Sequence, residues 1–282
     1  MTRAPLEPTV SVLLPAHEAD ATIEQAIASA LAQTVASLEL IVIDDGSSVP
    51  LDARLQQVGD ERLTVLRHPV NRGVSAARNT GLEHARAPLV ALLDADDTWA
   101  SQHLERSLAV LRDPEADLVY GNALLSAHPT GATRLYSASE LSEQPIASVA
   151  ALARRNPICT STVLARTDLL REAGGWPTWL QVGEDWWLCF KLLDRGARFA
   201  FQREPLVTYA WPASEAHAGA HAGRVLADNL KIACAVCARW PSRKLPLAHL
   251  FLRPFYVCAL QLMPGALRRR GVRYRNARSR KR

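Results

Sequence analysis

The stretch Leu89-Val90-Ala91-Leu92-Leu93-Asp94-Ala95-Asp96-Asp97 changes from wholly apolar to strongly acidic within nine residues. Its apolar half is typical of a strand buried on both faces inside a parallel sheet. The acidic half then falls at the carboxyl end of that strand, where open α/β sheets bind ligands. Three carboxylates this close repel one another, so a bound cation would stabilise them. The simpler alternative is a turn in which Asp96 or Asp97 caps a helix starting near Ser101.

Apolar runs and helix-like segments alternate on either side of this stretch. The predicted strands are 10–15, 38–43, 63–66, 89–93, 117–120, 159–164, 198–201 and 206–209. The predicted helices are 21–33, 54–58, 73–85, 101–111, 168–173 and 183–193. This alternation predicts an α/β fold with a mostly parallel, doubly wound central sheet flanked by helices. Residues 122–150 lack the periodicity, and we expect a long excursion there, either a lid or a hairpin.

Polar clusters follow three of the predicted strands: His17-Glu18, Asp44-Asp45 and Asp94–Asp97. Because parallel strands end at one edge of the sheet, we expect these clusters to lie together. Three strands that each deliver polar groups to one edge favour a functional site over three unrelated turns. A further pair, Glu184-Asp185, opens a predicted helix, where the helix dipole also favours acidic residues as simple caps.

The net charge of +5 averages two unlike regions. Residues 268–282 carry nine Arg or Lys and no acid, which leaves 24 basic and 28 acidic residues in 1–267, a net charge of −4. The high pI therefore belongs to a tail and not to a basic binding face. Because the tail has one aromatic residue, Tyr274, base stacking lends little support to nucleic-acid binding, and we expect no nucleic-acid partner.

Two predicted helices, 225–240 and 245–262, precede this tail. The second is apolar, but it would span only about 28 Å and contains Arg253, so we do not expect it to cross a bilayer. Two interpretations stay open: burial against the rest of the chain, or an interfacial helix on an anionic membrane surface that also attracts the basic tail. The predicted domains are 1–223, a helical appendage at 224–267, and a basic tail at 268–282 that we expect to be disordered.

Cysteine usage and the N-terminus bear on the compartment. Five cysteines at irregular spacing argue against a disulfide framework. Cys234-x-x-Cys237 lacks a second ligand pair, so we interpret these residues as packing thiols and not as a zinc or redox site. No apolar segment of signal-peptide length opens the sequence. We therefore expect a cytoplasmic protein, at the inner face of the cell membrane if the interfacial interpretation holds.

Five stretches taken together resemble one family in their order and approximate spacing. They are Val10–Pro15, Asp44-Asp45-Gly46-Ser47, Asn71-Arg72-Gly73-x4-Arg78-Asn79-x-Gly81, Leu92–Asp97 and Gly183-Glu184-Asp185. The chain resembles the inverting family 2 glycosyltransferases of the GT-A fold, over about residues 8–212. The resemblance implies a Rossmann-like GT-A domain that moves a sugar from a UDP-, dTDP- or GDP-linked donor to a hydroxyl of a glycan or lipid-linked acceptor, as in surface polysaccharide synthesis.

The resemblance also implies which residues bind the donor: Pro15, Ala16, His17, Glu18, Asp44, Asp45, Arg78 and Asp94. Asp45, with Asp44 beside it, would hydrogen-bond the nucleobase. Arg78 would lie near the base and the diphosphate. Where the family usually has Tyr or Phe followed by Asn, this chain has His17-Glu18, which leaves the details of base recognition open.

The metal is implied to be Mn²⁺ or Mg²⁺, hard cations that prefer oxygen ligands and absorb charge on a leaving diphosphate. Asp96 would coordinate it directly, Asp94 would contact the ribose or the metal shell, and Asp97 would shape the loop. Family members often add a His after the last core strand. This chain has Tyr209-Ala210-Trp211-Pro212 there, followed by His217 and His221, so the third protein ligand is unassigned.

On the acceptor side, Asp185 is the implied general base. It would deprotonate the acceptor hydroxyl as that oxygen attacks the anomeric carbon, while the diphosphate leaves from the opposite face. Glu184, Trp186 and Trp176 are the predicted acceptor-binding residues, and Trp187 is another aromatic surface for a sugar. The alternative is core packing for at least two of these tryptophans.

Two other functions fit parts of the pattern. A nucleotidyltransferase shares a similar nucleotide-binding half, but it would need a Gly-rich, basic triphosphate loop after the first strand, and Pro15–Asp20 contains none. A non-catalytic module that binds membrane or nucleic acid through the tail would not require the acids Asp94, Asp96 and Asp185. We therefore expect a metal-dependent, hexosyltransferase-type glycosyltransferase.

Overall fold

The computed structural model describes residues 7–112, 115–127, 132–136, 145–154, 156–211 and 218–240. The chain divides into two compact units, Met1–Ala213 and Ser214–Arg282. Both sheets belong to the first unit.

The strands are β1 (Val10–Ala16), β2 (Leu38–Asp44), β3 (Leu63–Arg67), β4 (Leu89–Leu92), β5 (Thr98–Trp99), β6 (Leu118–Gly121), β7 (Ala123–Ala127), β8 (Ala132–Tyr136), β9 (Leu164–Arg166), β10 (Phe199–Gln202) and β11 (Val207–Trp211). The α-helices are α1 (Ile23–Leu31), α2 (Asp52–Leu55), α3 (Val74–His84), α4 (His103–Leu111), α5 (Val149–Arg154), α6 (Thr167–Glu172), α7 (Glu184–Asp194) and α8 (Ala218–Arg239). Short 3₁₀ helices cover Gln56–Val58 and Thr160–Thr162.

The central sheet has seven strands in the order β10-β6-β9-β4-β1-β2-β3. β1 runs parallel to both β2 and β4, β2 is parallel to β3, and β6 is parallel to β10. β9 is antiparallel to its neighbours β4 and β6. The prediction of a mostly parallel sheet flanked by helices is confirmed.

Burial explains why the apolar runs form the middle of this sheet. Every residue of β2 is buried, and so is every residue of β1 except the half-buried Pro15, whereas the edge strand β3 is half exposed. α1 buries Ile23, Ala26, Ile27 and Ala30, which share one face of a helix. α3 comes close to the sheet at Gly81, where an added Cβ would lie 2.9 Å from the Ile43 side chain. The core therefore lies between the sheet and helices on its faces.

The predicted strand at 159–164 is wrong in its bounds. Thr160–Thr162 form a 3₁₀ turn, and the strand that follows, β9, covers Leu164–Arg166. The three hydroxyl residues Thr160–Thr162 form the turn, and the apolar residues that follow form the strand. Because β9 runs against its neighbours, its beginning, and not its end, lies at the carboxyl edge of β4. The turn at 160–162 is thereby delivered to the predicted site.

The excursion after β6 contains a hairpin-like pair, as one of the two alternatives predicted. β7 and β8 are antiparallel, with Ala123 opposite Tyr136. They belong to a second sheet of order β5-β11-β7-β8, in which β11 is parallel to β7 and antiparallel to β5. Its strand β5 directly follows the acidic stretch 94–97 in the sequence.

α8 starts earlier than predicted and runs across the expected domain boundary between residues 223 and 224. Within the described part of the chain, no helix combines the length and the apolar character needed to cross a membrane. Cys159, Cys189, Cys234 and Cys237 are free thiols. The predicted helix 245–262, Cys258 and the basic tail lie outside the described residues.

Candidate active site

Asp44 organises the loop that follows β2. Its buried carboxylate accepts hydrogen bonds from the backbone N–H groups of Ser47 (2.9 Å) and Leu51 (3.2 Å) and forms an ion pair with Arg67. Burial alone would raise the pKa of Asp44, but the hydrogen bonds from Ser47 and Leu51 and the Arg67 charge lower it below its ordinary value. Asp44 therefore stays ionised and holds the loop.

Asp45 holds the loop that follows β3. One carboxylate oxygen lies 2.6 Å from His68 Nδ1 and accepts from the Arg72 N–H at 3.0 Å, and the other accepts from the Gly73 N–H at 2.7 Å. The side chain is buried. Asp45 thus fixes the backbone immediately before α3, at the edge where the sequence predicted a nucleotide site.

The loop after β1 is tied to the loop after β2 through Glu18, whose positive φ of 50° is unusual for a residue other than Gly. The Glu18 N–H donates to Ser47 Oγ at 3.1 Å, and its carboxylate accepts from the Ser48 N–H at 2.7 Å. The hydrogen bonds from the backbone N–H and the hydroxyl of Ser48 lower the pKa of Glu18. Of the predicted slot residues before it, Ala16 is buried and His17 is exposed.

The carboxylate loop, Asp94–Asp97, presents its three acids differently. Asp96 is exposed, Asp94 is half-buried, and Asp97 is buried. Asp97 accepts from Ser161 Oγ at 2.5 Å and from the Ala210 N–H of β11 at 2.9 Å. Neither Asp96 nor Asp97 caps α4, which begins after Gln102 without a side-chain cap. The loop is therefore held in place by Asp97.

Negative charge accumulates in this loop. Burial, with the Asp94 charge added, raises the pKa of Asp97 to about 8. Reduced hydration and the Asp94 charge likewise raise the pKa of Asp96. These are the electrostatic conditions that a cation beside Asp94 and Asp96 would relieve.

The donor set fits a divalent cation held partly by its ligand. Among the residues that the structure describes, no three His, Cys, Asp or Glu side chains form a cluster able to enclose a metal. Mg²⁺ and similar ions are commonly held by one or two carboxylates together with substrate phosphates and water. Asp94 and Asp96 supply two hard oxygen donors of that kind. His217 lies outside the described residues, and His221 is on α8.

Arg78 joins the carboxylate loop to the start of α7. Its guanidinium donates to Asp94 Oδ1 at 2.7 Å and to Glu184 Oε1 at 2.6 Å. The Arg78 side chain is 3% exposed, so it lies beneath both carboxylates. Burial alone would lower the pKa of Arg78, but Asp94 and Glu184 more than offset this and raise it. The predicted donor residue is thus an internal ion bridge.

Asp185 follows Glu184 in the first turn of α7, after Gly183 in a left-handed conformation with φ of 79°. One carboxylate oxygen accepts from the Trp186 N–H at 2.7 Å, and the other accepts from Thr160 Oγ1 at 3.2 Å. Burial, together with the Glu184 charge, raises the pKa of Asp185 to about 6. A carboxyl group with that pKa is mostly ionised near neutral pH and is a stronger base than an ordinary aspartate.

Two of the predicted acceptor-binding tryptophans are interior residues. Trp176 is 2% exposed and Trp186 is 3% exposed. This burial corresponds to the core-packing alternative, since neither ring offers an open face to a sugar. Trp187 instead packs edge-on against Trp179, at 5.6 Å between ring centroids, and Trp179 is 47% exposed.

Sequence reasoning missed Thr160, which contacts Asp185, and Ser161, which contacts Asp94 and Asp97. Ser161 Oγ donates to Asp97 and accepts from the Asp94 N–H at 3.0 Å, and the Ser161 carbonyl accepts from Trp99 Nε1 at 2.8 Å. The available signal was the run of three hydroxyl residues, Thr160–Thr162, inside an otherwise apolar segment.

The comparisons with known proteins agree on one family. A family model described as Glycosyl transferase family 2 matches residues 11–169. The chain is 35% identical over 113 residues to the UDP-Glc:alpha-D-GlcNAc-diphosphoundecaprenol beta-1,3-glucosyltransferase WfgD of Escherichia coli, covering 40% of this chain and 45% of that one. The chain spans less than half the length of the first curated relatives that it matches.

Solved structures agree on the fold. S. aureus TarS 1-349 superimposes with a TM-score of 0.65 at 18% identity, covering 88% of this chain and 72% of that chain. The mannosyltransferase PcManGT from Pyrobaculum calidifontis, solved with GDP-Man and Mn²⁺, gives 0.64 at 21% identity, covering 89% and 70%. These likenesses confirm the predicted GT-A fold.

Proposed function

The chain belongs to glycosyl transferase family 2, and from this we propose that it transfers a sugar from a nucleotide-diphospho-sugar to a hydroxyl of a glycan or lipid-linked acceptor, with inversion at the anomeric carbon. The observation that carries the proposal is the Arg78 bridge, which joins Asp94 of the carboxylate loop to Glu184, the neighbour of Asp185. A donor-side acid and a candidate base are thereby held at one edge of the sheet. The E. coli relative, named as a glucosyltransferase for a diphosphoundecaprenol-linked acceptor, supports the acceptor class.

The donor nucleotide, UDP-, dTDP- or GDP-linked, is proposed to lie over the loops that follow β1 and β2. Two features support this: Glu18 ties these loops together, and the buried Asp45 fixes the backbone before α3. Loops held by such hydrogen bonds lose less conformational entropy when a ligand binds. Pro15, Ala16 and His17 would line the donor slot, and the remaining acceptor capacity of Asp45 would meet a base N–H.

Asp94 and Asp96 would hold a divalent cation, Mn²⁺ or Mg²⁺. When bound, it supplies charge stabilisation to the departing nucleoside diphosphate. Asp97 would keep the loop in shape through Ser161 and Ala210. The Mn²⁺ present in the mannosyltransferase structure supports this assignment.

Asp185 is the proposed general base. Its carboxylate would take the proton from the acceptor hydroxyl while that oxygen forms a bond to the anomeric carbon and the bond to the diphosphate oxygen breaks. The proton ends on Asp185, and the negative charge leaves with the nucleoside diphosphate. Support comes from the position of Asp185 at the start of α7, its contact with Thr160, and its raised pKa.

The donor site is tested by a thermal-shift screen of UDP-glucose, UDP-GlcNAc, GDP-mannose and dTDP-glucose, each with and without Mn²⁺. We expect one donor to raise the unfolding midpoint in the presence of Mn²⁺, since a ligand at a hundred times its Kd stabilises by about 2.7 kcal/mol. Asp96→Ala should abolish this shift, whereas Asp168→Ala, an acid 90% exposed on α6, should retain it. A full Mn²⁺-dependent shift in Asp96→Ala would refute the metal assignment.

The base is tested by Asp185→Asn. We expect turnover to fall by about 10²–10⁴ while the affinity for the nucleotide stays near that of the unaltered protein, because the substitution removes proton acceptance and leaves the donor slot intact. Near-normal turnover in this variant would show that another group is the base.

We propose that the C-terminal region contacts an anionic membrane, because a lipid-linked acceptor would be presented at the membrane surface. Co-flotation with anionic vesicles tests it, comparing the full chain with a chain that ends at residue 264 and so lacks the nine basic residues of the tail. We expect only the full chain to float. Equal flotation of the two would contradict the proposal.

A further inference from the structure

The hydroxyl turn, Thr160–Thr162, lies between the carboxylate loop and α7 and contacts both. Ser161 is fully buried, and its side chain bonds to the Asp97 carboxylate and to the Asp94 N–H. Its carbonyl accepts from the Trp99 ring, which adds a third anchor. Two hydrogen bonds of Ser161 therefore fix the turn to the carboxylate loop, and a third fixes it to Trp99 of β5.

The residue before this anchor reaches α7. Thr160 Oγ1 donates to Asp185 Oδ2 at 3.2 Å, while Asp185 Oδ1 accepts from the Trp186 N–H. Each oxygen of the carboxylate thus has one protein donor, and the two donors lie on different segments of the chain. Such a pair of bonds selects one rotamer of Asp185.

We propose that Thr160 is a positioning residue, whose hydroxyl holds the Asp185 carboxylate at a fixed place relative to the carboxylate loop. This inference rests on the proposed function, in which Asp185 is the base and the carboxylate loop holds the donor. Catalysis between two bound substrates depends on the distance between these groups, since small misplacements cost large factors in rate. Ser161 fixes the position of the turn relative to the carboxylate loop, and Thr160 fixes the position of the Asp185 carboxylate relative to the turn.

Several groups around Asp185 affect its pKa, and the Thr160 hydroxyl is one of them. Glu184 beside it disfavours the carboxylate form, and Arg78 favours it. The thiols of Cys159 and Cys189 are also close, and burial raises the pKa of each, so both stay neutral. The Thr160 hydroxyl favours the charged form, because a hydrogen bond donated to a carboxylate is stronger than one donated to a protonated carboxyl group.

The experiment compares Thr160→Val, which keeps the shape of the side chain and removes the hydroxyl, with Thr160→Ser, which keeps the hydroxyl. The titration of Asp185 is followed by NMR of ¹³C-labelled aspartate carboxyls in the full chain, with the Asp185 signal assigned from its loss in Asp185→Asn. We expect the pKa of Asp185 to rise by about half to one unit in Thr160→Val and to return in Thr160→Ser. An unchanged titration in Thr160→Val would overturn the inference.

Turnover gives the second measurement, as UDP release from UDP-glucose with Mn²⁺ and a synthetic GlcNAc-diphospholipid. We expect kcat to fall about 3–10-fold in Thr160→Val, with KM for UDP-glucose unchanged within about twofold. Thr167→Val is the matched control, because the Thr167 hydroxyl donates to the Ala87 carbonyl at 2.7 Å, away from the acids. It should leave the Asp185 titration unchanged.

The outcomes separate this inference from the function on which it rests. If Asp185→Asn keeps its turnover, the base assignment fails whatever Thr160 does. If Asp185→Asn loses turnover but Thr160→Val titrates and reacts like the unaltered protein, only the positioning role fails. A loss in Thr160→Val that appears in KM and not in kcat would also overturn that role.

Discussion

The pKa of Asp185, the proposed general base, suits a base that works at neutral pH. Burial and the Glu184 charge raise its pKa to about 6, and the base form is the one that predominates above that pKa. We therefore expect kcat to be constant at neutral pH and to fall as the pH decreases through about 6, by about tenfold per pH unit below it.

The measurement is the single-turnover rate at saturating donor between pH 5 and pH 8. Donor binding measured at each pH separates protonation of the base from loss of the metal and nucleotide. An acid limb near pH 4, the value of an ordinary aspartate, would show that the folded protein does not raise the pKa of the catalytic group.

Removal of Arg78 should cost much stability, because its guanidinium is buried and pairs with two acids. Arg78→Met leaves the Asp94 and Glu184 carboxylates without their shared partner, and breaking a buried ion pair costs about 3–5 kcal/mol. Arg54→Met is a matched control: this arginine also pairs with two acids, but its side chain is 38% exposed and its ion pairs are screened by solvent, so we expect a much smaller loss of stability.

Urea unfolding of the two arginine variants checks this difference. Equal losses of stability would mean that Arg78 is solvated in solution and does not bridge the two acids. A selective loss in Arg78→Met, with a lower affinity for the donor, would instead support its place beneath the carboxylate loop.

At the scale of elements, the loops after β2 and β3 touch through their backbones at Gly46. Its φ is +71°, and a Cβ there would lie 2.4 Å from the Asn71 backbone nitrogen. Gly59 has a similar φ of +66° but open space around it. Substitution of the two glycines by Ala therefore distinguishes the free-energy cost of a left-handed backbone from the cost of a steric clash between the loops.

We expect Gly59→Ala to lose about 1–2 kcal/mol, the cost of the left-handed conformation alone. Gly46→Ala should lose at least ~2 kcal/mol more, because the loops must separate to make room. Urea unfolding midpoints at equal m-values measure the difference, and nucleotide binding should weaken only in Gly46→Ala. Similar midpoints for the two variants would show that the two loops are not packed as the structure has them.

The antiparallel strand β9 is the element that completes the site. A parallel strand at that position would place residues 160–162 at the opposite edge of the sheet. Since β9 runs against β4 and β6, the hydroxyl turn precedes it at the same edge as Asp94 and Asp97. The direction of one three-residue strand thus decides which side chains support the carboxylate loop and the base.

For the whole molecule, the division into two compact units has a consequence for folding. The described acids of the site, both sheets and the family match all lie within Met1–Ala213. We expect a chain that ends at Ala213 to unfold cooperatively and to keep the Mn²⁺-dependent thermal shift with its nucleotide sugar. Calorimetry and the thermal-shift assay check this, and a chain that fails to fold would show that residues 214–282 are needed for the stability of the first unit.

Much of the architecture could be predicted from local sequence, because the signals are local. Val10–Pro15, Leu38–Ile43 and Leu89–Leu93 are apolar runs, and burial on both faces of a sheet requires such runs. The acids at the ends of these strands follow from the same pattern. The prediction of a mostly parallel sheet is confirmed for that reason, and the GT-A fold that the family resemblance implied is confirmed as well.

Predictions that depended on which way a side chain faces were less secure. Trp176 and Trp186 were candidates for sugar stacking, and both are buried. The resemblance implies that Arg78 lies near the donor, which stays a prediction, but it did not indicate that the guanidinium pairs with Asp94 and Glu184. Sequence spacing does not indicate whether a single aromatic or charged side chain points into the core or towards solvent, because its orientation depends on partners distant in the chain.

The sequence by itself determined most strands of the central sheet and the acids that follow them, since each rests on composition and spacing within a few residues. The family came from the resemblance of five motifs taken together in one order. Only the tertiary structure decided that Arg78 joins Asp94 to Glu184, 16 and 106 residues away, and that Ser161 and Thr160 hold Asp97 and Asp185. These contacts depend on the direction of β9 and on the packing of α3 and α7, which are fixed by burial of the whole core and not by any local run of residues.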